Sequence, residues 1–170
     1  MKPAVFQRCD LEEHCDRENS HLSPRVNLWT KRHLFAIISR VGIAAYSRFP
    51  VFGSLRASLA VIKDADLVLV IDRSDGRGLS FPGGLALPWE TPEQALAREI
   101  FEETGLRVKE SSALFSYYAS DDIPCNITVF TVAAEGRLKD SWEGSPSWLT
   151  LDEIRMALIR SQQEIVRRLV

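Results

Sequence analysis

The sequence predicts an α/β fold, and three observations point to that class. Aliphatic and β-branched runs at residues 55–62 and 67–71 have the composition of strands, the second of them buried. A strongly marked helix follows at Pro92–Thr104. Strand-like runs and a second helix start then continue to the C-terminus, which is the pattern of a sheet layered with helices.

Size and composition fit one domain with an extension. The chain has 170 residues, of which 45% are hydrophobic and 26% charged, an ordinary globular profile. Its three cysteines, Cys9, Cys15 and Cys125, are too few and odd in number for a disulfide framework, which favours a reducing, cytoplasmic location. Acidic residues fill positions 10–18, where a secretory signal needs an apolar core.

Residues 1–26 are expected to form a flexible tail because their polar composition has no sustained periodicity. The spacing of Cys9, His14, Cys15 and His21 matches no common zinc pattern.

Residues 27–53 are expected to form an amphipathic helix and a linker. Leu34, Ile37, Ile38, Val41 and Ala45 make an apolar seam that is too short for a membrane span. The surrounding window, residues 25–56, holds six basic residues and no acidic one. Three interpretations stay open: packing on the following domain, which we favour, a homodimer contact, or contact with an anionic membrane surface or RNA.

The two strands at 55–62 and 67–71 are joined by a turn at residues 63–66. A loop at residues 74–78 and a short strand at 79–81 then lead to a glycine loop, Gly83-Gly84. Arg73 and Arg77 stand just before this loop and have two interpretations, contact with a substrate phosphate or ordinary surface charge.

The helix at Pro92–Thr104 has local start and stop signals. Thr91 can cap its first turn, Pro92 suits the first helical position, and Gln94 can complete a capping box. Gly105 can adopt the left-handed conformation that ends a helix.

Further strands are predicted at residues 113–119 and 127–133, separated by a loop at 120–124. Tyr117 and Tyr118 alternate across the first of them, so at most one faces a site, as a base-stacking or a core residue. A second loop spans residues 140–146. Thr150 and Glu153 then form a capping box for a final helix that buries Ile154, Leu158 and Ile165.

The central helix is also the candidate site. On a helical wheel, Glu99, Glu102 and Glu103 share one arc, opposite an apolar arc of Leu96, Ala97, Ile100, Phe101 and Thr104. Neighbouring carboxylates repel one another and, near a helix C-terminus, oppose the helix dipole. A hard divalent cation, Mg²⁺ or Mn²⁺, accounts for them better than a merely solvated acidic face.

These residues belong to a longer pattern, Gly84-x5-Glu90-x7-Arg98-Glu99-Ile100-x-Glu102-Glu103-x-Gly105-Leu106. It resembles a complete Nudix box, the signature of the Nudix hydrolase family, and Pro82-Gly83 before it is also usual there. Outside this box, the region 54–170 resembles a Nudix hydrolase domain less closely than the box itself does.

The resemblance implies a Nudix-like α/β/α sandwich with a mixed β-sheet. It also implies hydrolysis of a nucleoside diphosphate linked to another group. By position, Glu99, Glu102 and Glu103 become catalytic metal ligands, with Glu99 the first choice as base, and the Gly83 carbonyl becomes a further ligand. Structural support would come from an ion pair between Glu90 and Arg98, and from Gly84 and Gly105.

The side chains agree with that chemistry. All three histidines precede residue 54, and the only thiol after it is Cys125, so water activated by a metal is the nucleophile that the domain permits. Candidate contacts to a small-molecule diphosphate of nucleotide type are Arg73, Arg77, Trp89 and Tyr117. Trp89 has an alternative role in covering apolar surface.

The identity of the substrate stays open among nucleoside triphosphates, dinucleotides, nucleotide sugars and capped RNA ends. Two other classes of function remain as alternatives. One is a Nudix module that senses nucleotides without cutting them. The other is a prenyl diphosphate isomerase, which Cys125 alone supports thinly.

Overall fold

The computed structural model describes residues 55–121 and 123–169, so the predicted tail and the predicted helix with its linker lie outside the described residues. The strands are β1 (Leu55–Val61), β2 (Lys63–Asp64), β3 (Leu67–Arg73), β4 (Leu79–Ser80), β5 (Gly83–Leu85), β6 (Arg107–Ala119), β7 (Cys125–Glu135) and β8 (Gly144–Thr150). The helices are α1 (Pro92–Thr104), α2 (Leu151–Arg155), a 3-10 helix (Arg160–Gln162) and α3 (Gln163–Leu169).

The strands form two sheets. Sheet A has the order β5-β1-β7-β6, in which β1 and β7 are parallel and the other two pairings are antiparallel. Sheet B contains β2, β3 and β4 in that order, with β8 paired to β3. Helices pack against these sheets, so the α/β class with a mixed sheet is confirmed.

Alternation along β1 gives the domain two hydrophobic clusters. Residues on one face, including Leu59 and Val61, pack with sheet B and the C-terminal helices. Ala60 and Ile62 on the other face pack with Leu96 and Ile100 of α1. Each fully buried leucine or isoleucine side chain stabilises the fold by about 1.5–3 kcal/mol. Packing of these side chains therefore holds α1 against one face of sheet A.

The bounds and caps of α1 agree with the prediction. Thr91 and Gln94 form the capping box, and Gly105 ends the helix at φ 74°. The predicted apolar arc is wrong in part, because Ala97 and Phe101 are exposed while Glu103 is buried. Seven positions separate Glu103 from Leu96, which is close to two full turns, so both point towards sheet A.

Strand β6 is longer than predicted, and the glycine loop is itself a strand. β6 begins at Arg107 rather than residue 113, because its polar first half pairs with the end of β7. Gly83 and Gly84 form β5, which pairs with β1. Residues 144–146 of the predicted second loop belong to β8, whose register is set by pairing with β3.

The predicted final helix is divided into three short pieces. Leu79 N donates to Ala157 O and Ile159 N donates to Leu79 O, so residues 157–159 pair with β4 instead of continuing a helix. Burial of Ile154, Leu158 and Ile165 is confirmed. None of the helices described is long and apolar enough to cross a membrane.

Candidate active site

Two glycines of β5 make room for the acidic face of α1. A Cβ atom on Gly84 would lie 2.7 Å from the carboxyl carbon of Glu99, so that carboxylate sits directly on the glycine backbone. Gly83 has a φ of 130°, and a Cβ there would lie 2.1 Å from the carbonyl oxygen of Ser58. The amide of Gly83 donates a hydrogen bond of 2.8 Å to Glu103 Oε2. Sheet A and α1 therefore meet at the carboxylates.

Arg98 links the segment before α1 to the acidic face. Its Nε and Nη2 donate to the two oxygens of Glu90 at 2.7 and 2.9 Å. Its Nη1 donates to Glu99 at 2.9 Å and to Glu102 at 3.2 Å. Hydrogen bonds from Arg98, and one from the amide of Leu87, lower the pKa of Glu90 to about 2. Glu90 is thus held as a carboxylate that fixes Arg98.

Among the helix carboxylates, Glu103 is buried and Glu99 is partly buried. Glu103 is 3% exposed, and burial raises its pKa well above the usual value even though Gly83 N donates to it. Burial also raises the pKa of Glu99, an effect larger than the lowering by Arg98. Buried carboxylates of this kind hold their charge only where positive charge is available.

A fourth carboxylate, Glu143, completes the group and is absent from the sequence prediction. Burial raises the pKa of Glu143, and the charges of Glu99 and Glu102 raise it further. Its backbone carbonyl accepts hydrogen bonds of 2.8 Å from both the amide and the hydroxyl of Ser74. These contacts fix the end of the loop that enters β8. We call Glu99, Glu102, Glu103 and Glu143 the acidic cluster.

Arg73 supplies positive charge next to this cluster. The positive charge of Arg73 lowers the pKa values of Glu103 and Glu143, against the raising effect of burial. Burial of Asp75 opposes its ionisation, but the hydrogen bonds from Arg73 lower the pKa of Asp75 below the usual value. The Arg77 amide also donates to Asp75 at 3.1 Å. The Asp75 carboxylate therefore orients Arg73 beside the cluster.

The other predicted site residues occupy different surroundings. Trp89 is 77% exposed in the segment before α1, and Gly105 acts as the helix C-cap. The hydroxyl of Tyr117 donates to Ser161 O at 2.8 Å, on the face of sheet A opposite α1. Tyr117 also borders a cavity of ≈ 510 Å³ whose other walls include Tyr118, Asp121, Arg160, Gln163 and Arg167.

The acidic cluster has the donor chemistry of a hard-cation site. Its groups are all carboxylates. Among the described residues the one cysteine is Cys125, which is buried, and burial raises the pKa of its thiol to about 11. As they stand within residues 55–121 and 123–169, no three acidic, histidine or cysteine side chains converge closely enough to enclose an ion. Glu99 and Glu102 instead contact Arg98. The donor set fits Mg²⁺ or Mn²⁺ once side-chain rotation brings the oxygens together.

Glu143 is brought to the site by long-range strand pairing, which is a feature of the tertiary structure. The register between β3 and β8 pairs Arg73 with Gly144 and so places Glu143 near the end of β3. A pairing between strands this distant in sequence has no local marker. The β3–β8 register is therefore what adds this acid to those of the helix.

Comparison with known proteins gives a consistent result. The family model of the NUDIX domain matches residues 53–169. A MutT-like protein of Streptomyces ambofaciens is 35% identical over 112 residues, covering 64% of this chain and 72% of that protein. A Bacillus subtilis protein provisionally named 8-oxo-dGTP diphosphatase YtkD is 44% identical over 48 residues, 28% of this chain and 30% of that one. Among solved structures, a provisionally assigned Nudix hydrolase of Chromobacterium violaceum is similar with a TM-score of 0.59 and 29% identity, covering 69% of this chain and 77% of that chain.

Proposed function

The chain belongs to the Nudix family as a Nudix-type pyrophosphohydrolase, and we propose that it uses Mg²⁺ or Mn²⁺ to hydrolyse a diphosphate linkage in a nucleotide. The observation that carries the proposal is the acidic cluster. Four carboxylates lie near one another beside Arg98 and Arg73, and burial raises the pKa of three of them. A divalent cation relieves both the repulsion and the cost of burial.

Each residue of the site has a role in the proposal. Glu99, Glu102 and Glu103 hold the cation, with the carbonyl oxygen of Gly83 as a further ligand. Glu143 adds negative charge from the loop that enters β8. The supporting residues act through geometry: Glu90 fixes Arg98, and Gly84 leaves space for Glu99.

The bound cation supplies positive charge that stabilises the phosphate oxygens and makes water a better nucleophile. Glu99 accepts a proton from the attacking water as a general base. Arg73, held by Asp75, contacts a phosphate oxygen of the substrate. Water attacks phosphorus, and the diphosphate bridge oxygen leaves with one of the two products.

We propose nucleoside triphosphates as the substrate class, including oxidised purine forms. The name of the B. subtilis relative, an 8-oxo-dGTP diphosphatase by provisional assignment, supports this choice.

A substrate panel with product analysis tests the proposal. Full-length protein is incubated with nucleoside triphosphates, dinucleotides and nucleotide sugars, with Mg²⁺ or Mn²⁺ or with excess chelator. We expect metal-dependent release of nucleoside monophosphate and inorganic pyrophosphate from nucleoside triphosphates. Glu102→Gln should reduce turnover by roughly 10²-fold or more, because a ligand is lost. Glu93→Gln, an exposed acid in the first turn of the same helix, is the control.

Two results would count against the proposal. Turnover that persists in excess chelator excludes the metal mechanism. Nucleotide binding without any turnover favours a sensing module instead.

A further inference from the structure

Ser58 has a buried hydroxyl with no hydrogen-bond partner. It lies in the middle of β1 and is 1% exposed. Among the described residues, its Oγ is the buried side-chain nitrogen or oxygen that makes no hydrogen bond. An unsatisfied buried hydroxyl costs about 1–3 kcal/mol. Such a group calls for a functional or structural explanation.

The register of sheet A places this hydroxyl beside the acidic cluster. Ser58 pairs with Gly84 on β5, and directly opposed residues of an antiparallel pair point to the same face. That face is the one covered by α1, because Ala60 packs with Leu96 and Ile100. The Glu99 carboxylate rests on Gly84 from the same side. Ser58 and Glu99 therefore adjoin one glycine on one face.

Glu99 has acceptor capacity to spare. Its Oε1 accepts from Arg98 Nη1 at 2.9 Å. A carboxylate offers about four acceptor positions on its two oxygens. The Glu99 side chain is 13% exposed, so little water reaches the remaining positions. Binding a cation requires this carboxylate to turn from Arg98 towards the other acids, which changes the donors around it.

We propose that the Ser58 hydroxyl is a positioning group that donates to Glu99 when this carboxylate binds a divalent cation. The inference rests on the metal site proposed above. Ligands of metal ions are commonly held by a second hydrogen bond that fixes their orientation. Ser58 supplies this hydrogen bond from sheet A, whereas Arg98 supplies the alternative one from α1 itself.

The test compares metal affinity with stability in chelator. In Ser58→Ala, the Mn²⁺ dissociation constant, measured by isothermal titration calorimetry, should rise about tenfold. The melting temperature in chelator should stay the same or increase, because an unsatisfied hydroxyl is removed. A purely structural hydroxyl would lower the melting temperature in chelator. The specific result expected here is weaker Mn²⁺ binding without any loss of thermal stability in chelator.

Ser116→Ala is the matched control. Ser116 lies in the same row of sheet A, paired with Thr128, and its exposed hydroxyl contacts the Thr128 hydroxyl at 3.1 Å. This variant should leave the Mn²⁺ dissociation constant unchanged. A double-mutant cycle adds Ser58→Ala to Glu99→Gln, where the effect of Ser58 on Mn²⁺ binding should vanish.

The outcomes separate the two proposals. Wild-type protein that binds no Mn²⁺ overturns the proposed metal site and this inference with it. Wild-type protein that binds Mn²⁺, together with a Ser58→Ala variant of equal affinity, overturns this inference alone. A lower melting temperature of Ser58→Ala in chelator, or an equal effect of Ser58→Ala in the Glu99→Gln background, also overturns it.

Discussion

Arg98 and Glu90 are joined by two parallel hydrogen bonds, Nε to Oε1 at 2.7 Å and Nη2 to Oε2 at 2.9 Å. This planar, paired contact is the geometry in which arginine binds a carboxylate most strongly. It connects the segment before α1 with the middle of the helix. The guanidinium also donates to Leu85 O at 3.1 Å, so β5 is tied to the same point.

Arg98→Ala should therefore lower both stability and activity. The change leaves the poorly exposed Glu90 and Glu99 carboxylates without their partner. We expect the melting temperature to fall by roughly 3–6 °C, measured by differential scanning fluorimetry, with reduced turnover. The control is Arg107→Ala, because the Arg107 guanidinium lies over the ring of Phe101, away from the acidic cluster. Equal melting temperatures for wild type and Arg98→Ala would contradict this prediction.

Glu143→Gln should separate stability from metal binding. Removing one charge relieves repulsion from Glu99 and Glu102, so the melting temperature in chelator should increase by a few degrees. The same change removes negative charge facing the cation, so the Mn²⁺ dissociation constant should rise severalfold. Calorimetric titration and thermal melts of the same preparations provide both values. An unchanged Mn²⁺ affinity would place Glu143 outside the metal site.

Stability in chelator should decrease as pH rises. Burial gives Glu99, Glu103 and Glu143 folded-state pKa values above their usual 4.5. A raised folded pKa contributes stability that is complete below the unfolded pKa and is lost as pH rises through the folded pKa. We therefore expect the melting temperature to fall as pH rises above the usual carboxylate pKa of 4.5. Glu90, with its pKa lowered to about 2, has the opposite dependence, but only below about pH 4.5.

Thermal melts at several pH values measure this dependence. Glu103→Gln should flatten the profile, because the most deeply buried of the three acids no longer titrates. Saturating Mn²⁺ should reverse its slope, since metal binding needs ionised carboxylates. A melting temperature that rises with pH in chelator would show that other groups dominate.

Deletion of residues 1–50 tests the expected packing of the N-terminal helix. If the apolar seam packs on the domain, the truncated protein should melt lower and bind more of an apolar dye. Binding of the full-length chain to anionic vesicles and to RNA, at low and moderate salt, provides the comparison. An unchanged melting temperature, together with loss of salt-sensitive binding, would favour a membrane or RNA contact.

The sequence predicts α1 accurately because its signals are local. Thr91, Gln94 and Gly105 specify its two ends within a few residues of themselves. The Nudix box adds the identity of the acids and of the Glu90–Arg98 pair. The burial of Glu103 and Ser58 depends instead on how α1 lies over sheet A, which no local pattern records.

Long-range pairing explains the other differences. The polar first half of β6 lacks strand composition and is extended because β7 pairs with it. Ala157 and Ile159 leave the helical path because Leu79 of β4 bonds to them. Glu143 joins the site for the same kind of reason, through the register of β3 with β8.

The acids of the proposed site lie on both halves of the domain. Glu99, Glu102 and Glu103 are on the helix over sheet A, and Glu143 directly precedes β8 of sheet B. In the proposed site, catalysis therefore requires both sheets packed together and not either half alone. A compact state that keeps its secondary structure but loosens its packing would lack the assembled charge cluster. The proposed site therefore predicts that only completely packed molecules are active, so enzymatic activity should measure how well each preparation has folded.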